Sequence, residues 1–264
     1  MAIETCNEEI EYQKNRAGTI RHLKPTPVHV FERYRKLQHP NLFMREYLFK
    51  NLGNLHGKRV LDFGCGEGDL TTLLAGMGAK VTGVDISPDL IRLAKEQCRL
   101  DKTDKQVRFE VRDLSEKPFK KDSFDFAVCN TVLHHVDIKK TLPNIIESLC
   151  HNGVVIMVEP VAFLPWLQRI RDLAPVEKDI SPEERQLGEE DLRYISGCFR
   201  ECHTTYFQFL ARLEVFLPHH KEIDHGHPVT KALMIGLTSV DRFLINCFPI
   251  LWRFYGNVVM VGRK

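Results

Sequence analysis

The sequence predicts an α/β fold: a doubly wound, mostly parallel sheet of seven strands with helices on both faces. Two observations carry this. From residue 57 to 160, short buried-strand runs alternate with helical periodicity in the order strand, helix, strand, helix, strand, strand, helix, strand. Such alternation builds a parallel sheet with its crossover helices packed on both faces. The first strand also runs directly into a glycine-rich turn and a helix, Arg59 to Ala75 reading RVLDFGCGEGDLTTLLA. That order lays bare backbone amides beside the carboxyl end of the sheet, a cradle for a ligand.

Each element has a local reason. Arg59 to Phe63 is the first strand, and Asp69 to Ala75 starts a helix with Leu70, Leu73 and Leu74 on one face. Between them, glycine at 64, 66 and 68 lets backbone come close to a ligand. The dinucleotide fingerprint needs its third glycine three residues after the second, where Asp69 stands, and no GK[ST] follows to make a P-loop. Lys80 to Val84 is the second strand, ending in Asp85, 19 residues beyond Gly66 and within reach of a ribose diol. Ser87 caps the next helix, which starts at Pro88 and buries Leu90, Ile91, Ala94 and Cys98. Val107 to Val111 closes on Asp113 and Leu114, and Phe124 to Cys129 closes on Asn130 and Thr131. A helix over Thr141 to Leu149 is ended by Asn152 and Gly153, and the fifth strand, Val154 to Val158, leads to Glu159. Glu189 to Phe199 is the next helix, Thr204 to Val215 the sixth strand and Asn257 to Gly262 the last.

Four stretches, VLDFGCGEG, VTGVDIS, FEVRDL and FDFAVCNTVLHHV, stand in this order over residues 57 to 160. Together they resemble the class I S-adenosylmethionine-dependent methyltransferases. The resemblance implies a last strand running antiparallel beside the sixth. It also implies that Asp62, Gly64, Cys65 and Gly66 line the methionine part of S-adenosylmethionine, with Asp85 on the ribose and Ile86 against the adenine. Asp113 would accept from the adenine amino group, Leu114 would offer a backbone amide, and Asn130 and Thr131 would sit near the sulfonium.

Composition bounds the rest. With 264 residues, a net charge of +2 and 43% hydrophobic residues, the chain has neither a nucleic-acid footprint nor the signature of disorder. Eight cysteines without a CxxC pair match a reducing compartment, and the amino terminus lacks an apolar signal core. A cytoplasmic protein without a transmembrane segment, monomer or homodimer, is expected.

Residues 1–56 are read as a helical lid. Seven Lys or Arg and one acid lie between Lys14 and Lys36, and Arg33, Tyr34 and Arg35 would reach over the cofactor's carboxylate or an anionic acceptor, the alternative being a solvated helix face. The methyltransferase domain is expected over 57–264, with 161–190 as a substrate cover and 216–256 as an apolar insertion. Between Lys231 and Phe254 that insertion carries thirteen large apolar side chains, more than one sheet-covering helix needs. Packing, an apolar substrate, a dimer face and a peripheral membrane contact all fit it.

Methyl transfer is an in-line displacement, so the protein's task is alignment and a place for the acceptor's proton. Candidate bases are His135, His134, Glu159 and Tyr34, with His135 preferred of the adjacent pair. Cys198, Cys202, His203, His219, His220, His225 and His227 lack the spacing of zinc signatures, so no metal is expected. The favoured reading is methyl transfer to oxygen or carbon of a small, fairly apolar metabolite. A peptide or protein carboxylate or side chain is the alternative acceptor; a nucleotide-cofactor oxidoreductase and a non-catalytic cofactor-binding protein are the alternatives of another class.

Overall fold

The structure, a computed structural model, describes residues 23–164, 186–216 and 228–264, together with Lys14 and Gly18. Its centre is a seven-stranded sheet. In chain order the strands are β1 (Arg59–Phe63), β2 (Lys80–Asp85), β3 (Val107–Val111), β4 (Phe124–Asn130), β5 (Leu149–Pro160), β6 (Glu201–Phe207) and β7 (Asn257–Arg263). Across the sheet they lie in the order β3-β2-β1-β4-β5-β7-β6. All are parallel except β7, which runs antiparallel between β5 and β6.

Period-two alternation along the strands sends side chains to two separate cores. Leu61, Phe63, Val155, Met157, Val258 and Met260 face one side. Two helices, α5 (Ile138–Ser148) and α6 (Glu189–Gly197), cover it with Leu142, Ile145, Leu192 and Ile195. Val60, Ile156, Val158 and Val259 face the other side. There the amino-terminal helices α1 (Val28–Arg35) and α2 (Met44–Leu52) and the helix after the glycine turn, α3 (Asp69–Gly76), bring Val30, Tyr34, Leu48, Phe49, Leu52, Leu70, Leu73 and Leu74. The second crossover helix, α4 (Pro88–Leu100), is capped as its sequence predicts, Ser87 Oγ accepting from Leu90 N at 3.3 Å.

Several boundaries differ from the sequence reading, β5 for one starting at Leu149 rather than Val154, and at two elements the structure shows why. Helix α5 starts at Ile138 rather than Thr141, because the Asp137 carboxylate accepts from Lys139 N at 3.0 Å and caps it earlier. It ends at Ser148, and Leu149 already pairs with Phe124 of β4. Strand β6 spans Glu201–Phe207 rather than Thr204 to Val215. Gln208 takes a positive φ of 61°, and the next three amides turn away from the sheet to the Asp241 carboxylate. Before β7 the insertion forms α7 (Pro228–Cys247) and a 3-10 turn over Pro249–Phe254. Most of the proposed cover, residues 165–185, lies outside the described residues, as do His219, His220, His225 and His227.

Candidate active site

A cavity of about 220 Å³ opens at the carboxyl edge of the sheet, where β1, β2 and β4 end side by side. Its walls are Asp62 to Glu67 with Asp69, then Asp85 and Ile86, then Asn130 to Val132, His135 and Val136, with Arg45 and Arg112 reaching in. Local structure explains the placing. The amides of Gly64 and Cys65 both donate to Val84 O at 2.9 Å, which ties the glycine turn to the end of β2. The Asp85 carboxylate accepts from Gly66 N at 3.0 Å and from Ser87 N at 2.9 Å, bracing the turn and the start of α4 together.

Two glycines in the turn do different work. At Gly64, with φ 69°, a Cβ would stand 2.3 Å from Val132 Cγ2, so the loop after β4 packs onto bare backbone. At Gly66, with φ 52°, a Cβ would meet nothing within 4 Å, so its backbone borders open space. A strand-end carboxylate, a bare turn and an apolar wall at Ile86 and Leu90 suit a nucleoside with a charged tail. This is the fit expected of S-adenosylmethionine.

Burial acts on two groups of the cavity wall, Asp62 and Cys65. Asp62 is buried, with Thr71 Oγ1 donating to it at 2.5 Å. Burial raises its carboxyl to about 6, the charge of Asp85 adds to the rise, and Thr71 and Arg45 oppose it. Burial likewise pushes the Cys65 thiol well above its ordinary range, so it stays a neutral wall rather than a nucleophile.

The loop after β4 holds two of the candidate bases, His134 and His135, and the structure separates them from each other and from Glu159. Glu159, at the end of β5, lies behind the loop and outside the cavity wall. Its Oε1 accepts from Val132 N at 3.0 Å and Leu133 N at 2.8 Å, and its Oε2 meets His134 Nδ1 at 2.7 Å. Both side chains are buried. The His134 and His135 rings touch, their centroids 4.0 Å apart, yet only His135 lines the cavity. Thr131 beside them is held at φ 55°, an uncommon backbone for a β-branched residue, with its amide donating to Val158 O at 2.7 Å.

Other sequence candidates lie elsewhere. Tyr34 is buried against Phe49, ring centroids 4.8 Å apart, and is not in the cavity wall. Arg33 pairs with buried Glu46 at 3.0 Å, and Arg35 donates to Gly76 O at 2.7 Å. The basic charges expected over the cofactor are thus engaged in packing the amino-terminal helices, and Arg45 and Arg112 are the cations that reach the cavity instead. Asp113 closes a turn, accepting from Ser115 N at 2.7 Å, and buried Leu114 gives its carbonyl to Asn144 Nδ2. Neither is in the cavity wall, where Arg112 stands. Among the described residues no three metal-ligating side chains gather.

Reasoning from sequence passed over Arg45, Glu67 and Arg112. Arg45 falls outside the biased basic stretch, and its one signal was its place on a helix whose Leu48, Phe49 and Leu52 are apolar. That pattern shows which face is buried, and says nothing of which polar residue meets a neighbouring turn.

Comparison with known proteins agrees with this fold. The mitochondrial ubiquinone biosynthesis O-methyltransferase of Schizosaccharomyces pombe is 34% identical over 116 residues, 44% of this chain and 42% of that protein. The ubiquinone biosynthesis O-methyltransferase of Xanthomonas campestris pv. campestris is 39% identical over 84 residues, 31% of this chain and 34% of that protein. The matches thus span less than half the length of these curated relatives. Among solved structures, geranyl diphosphate C-methyltransferase from Streptomyces coelicolor A3(2) superposes with a TM-score of 0.63 at 14% identity, covering 98% of each chain. Phosphoethanolamine N-methyltransferase 2 of Haemonchus contortus gives 0.56 at 16% identity, over 89% of this chain and 60% of that one. At such identities these two show a shared fold. A family model described as "Methyltransferase domain" matches residues 54–199, more than half of the chain, and the chain belongs to that family of methyltransferase domains.

Proposed function

We propose that the protein transfers a methyl group from S-adenosylmethionine to an oxygen or carbon of a small, fairly apolar metabolite. The observation that carries this is the carboxyl-edge cavity in a chain of the methyltransferase family: the bare turn at Gly66, Asp85 at the end of β2 and His135 on the opposite wall. Two relatives are named as O-methyltransferases of ubiquinone biosynthesis, which favours an oxygen on a lipophilic ring.

The cofactor supplies an electrophilic methyl on a sulfonium, and the chain supplies alignment. Asp85 holds the ribose while its own bonds to Gly66 N and Ser87 N keep it in place. Asp62 and Arg45, an acid and a base in one wall, receive the amino and carboxylate groups of the methionine part. His135 takes the acceptor's proton, and Glu159, through its bonds to the amides of Val132 and Leu133 and to the His134 ring, fixes where His135 stands. An acidic peptide is the weaker reading of the acceptor, because Arg33 and Arg35 are already engaged within the protein.

Calorimetric titration with S-adenosylhomocysteine tests the cradle. Micromolar binding at about one site is expected, weakened at least roughly 30-fold by Asp85→Ala, which removes a charged hydrogen-bond acceptor. Mass detection of methylated products from lipophilic phenols, acids and isoprenoid-like compounds then tests the acceptor class. Unchanged affinity in Asp85→Ala, or binding of a reduced nicotinamide in place of S-adenosylhomocysteine, overturns the assignment.

A further inference from the structure

Helix α7 is built inside out. The side chains it turns inward are largely polar: Thr230, Thr238 and Asp241 are buried along with Met234. Asp241 is the keystone, its carboxylate accepting from Phe209 N at 2.9 Å, Leu210 N at 2.7 Å and Ala211 N at 3.1 Å, while the Tyr255 hydroxyl donates to its carbonyl. The outward face is apolar. Val229 is 68% exposed, Leu233 45%, Val240 46% and Phe243 62%, and just past the helix end Phe248 is 54% and Ile250 81% exposed. A helix that keeps polar groups inside and large apolar groups outside has a second apolar surface to meet.

The spacing identifies the kind of surface. Val229, Leu233, Gly236, Val240, Phe243 and Cys247 follow one another by four, three, four, three and four residues, and all are exposed. At 3.6 residues per turn they lie within about 40° of one line, the narrow seam of a helix packed on another helix. Gly236 opens that seam at its middle, since a Cβ there would meet nothing within 4 Å. The seam carries no charge. The two basic residues of α7 point away from it, Lys231 Nζ to Gln38 Oε1 at 3.4 Å and Arg242 to Asn41 O at 2.7 Å. A helix lying on an anionic lipid surface sets cations beside its apolar face, whereas a neutral seam is complementary to itself.

We infer that α7 is the contact of a homodimer, pairing antiparallel with α7 of a second copy about a two-fold axis that crosses the seam between Gly236 and Val240. In that register Leu233 meets Phe243 of the partner subunit, Gly236 meets Val240 of the partner subunit, and Val229 meets Cys247 of the partner subunit. Bulk falls opposite space at the centre, and the two helix dipoles oppose each other. Six large side chains, each about half exposed or more, make a face on the order of 600 Å² per copy, below the ~800 Å² of a standard stable interface. The pairing is therefore weak and depends on concentration.

Sedimentation velocity of the full chain from about 1 to about 200 µM reads the result, the range in which an interface of that size associates. The expected outcome is a shift from monomer to dimer in the wild type and a monomer throughout in Leu233→Glu/Phe243→Glu. Because these positions are exposed, the variant keeps its melting temperature and its S-adenosylhomocysteine affinity. Val229→Cys under mild oxidant gives a covalent dimer that disappears when Cys247 is also changed to Ala. Three results overturn the inference: a wild type that is monomeric at the highest concentration, a dimer untouched by the double substitution, and a monomer that floats with neutral or anionic phosphatidyl vesicles through α7. A wild-type disulfide at Cys247 shows a parallel pairing and overturns the antiparallel register.

Discussion

Asp62 is the residue whose setting departs furthest from its chemistry in water. Burial lifts its carboxyl to about 6 from an ordinary 3.8, helped by the charge of Asp85 and opposed by Thr71 and Arg45. The folded protein therefore holds this proton more tightly than the unfolded chain. The stability it contributes is full below about pH 4 and is lost as pH rises through about 6, leaving a deficit of roughly 3 kcal/mol at neutral pH. A cationic ammonium in the cavity would offset that deficit, which is a physical reason for keeping an acid there. Asp62→Asn retains an oxygen for the Thr71 hydroxyl and removes the charge. Thermal melts of the ligand-free protein are expected to show the variant more stable by about 2 to 3 kcal/mol at pH 8 and nearly equal to wild type at pH 4. Calorimetry should show weaker S-adenosylhomocysteine binding in the same variant. An equal difference at both pH values would count against a buried charge at this position.

At the scale of elements, the loop after β4 is the least self-sufficient part of the site. It has a left-handed Thr131 and a 3-10 turn over Leu133–His135, and beyond the one bond from Thr131 N to Val158 O, Glu159 reaches over from β5 to satisfy two of its amides. Glu159→Ala leaves those amides and the His134 ring without their acceptor, at a cost of about 3 kcal/mol or more. Glu159→Gln keeps an oxygen for the amides but presents an N–H to His134 Nδ1, so it is expected to cost about 1 kcal/mol while turning the His134 tautomer over. In urea melts the order should be wild type, Gln, Ala, and in turnover assays Gln should lose kcat with little change in the cofactor's KM. An alanine variant as stable as wild type would remove Glu159 from the loop's support. This clamp also shows where sequence reading stops. The strands, the glycine turn and Asp85 were legible because periodicity, φ preference and strand-end position are local properties. Glu159 looked like a base because its position at a strand end is local, while its three partners lie 25 to 27 residues away. The end of β6 and the polar face of α7 were hidden for the same reason, since Asp241 meets amides 30 to 32 residues before it.

Over the whole molecule, stability is distributed unevenly in a way that bears on ligand binding. Val60, Leu61, Ala127, Val128, Cys129, Val155 and Ile156, in the three central strands, are fully buried between two cores, and the cavity is cut from the ends of β1, β2 and β4. Helix α7 is anchored differently, by the buried Asp241 carboxylate, by Arg242 on Asn41 O and over the Phe207 ring, and by a largely polar inner face, at the far edge of the sheet beside β6. Such an element can open without the sheet, exposing little apolar surface in doing so. Hydrogen exchange at dilute protein is thus expected to place the amides of β1, β4 and β5 at the global unfolding free energy and those of α7 well below it. Ligand linkage sharpens the test. A ligand at about 100 times its Kd stabilises every amide that needs global unfolding by about 2.7 kcal/mol. An opening of α7 that leaves the cavity intact gains nothing from S-adenosylhomocysteine. Protection of α7 should therefore stay fixed while the central strands gain. If α7 gained by the same amount, the helix and the site would unfold as one unit, and substitutions on its outer seam would then be expected to reach the chemistry as well.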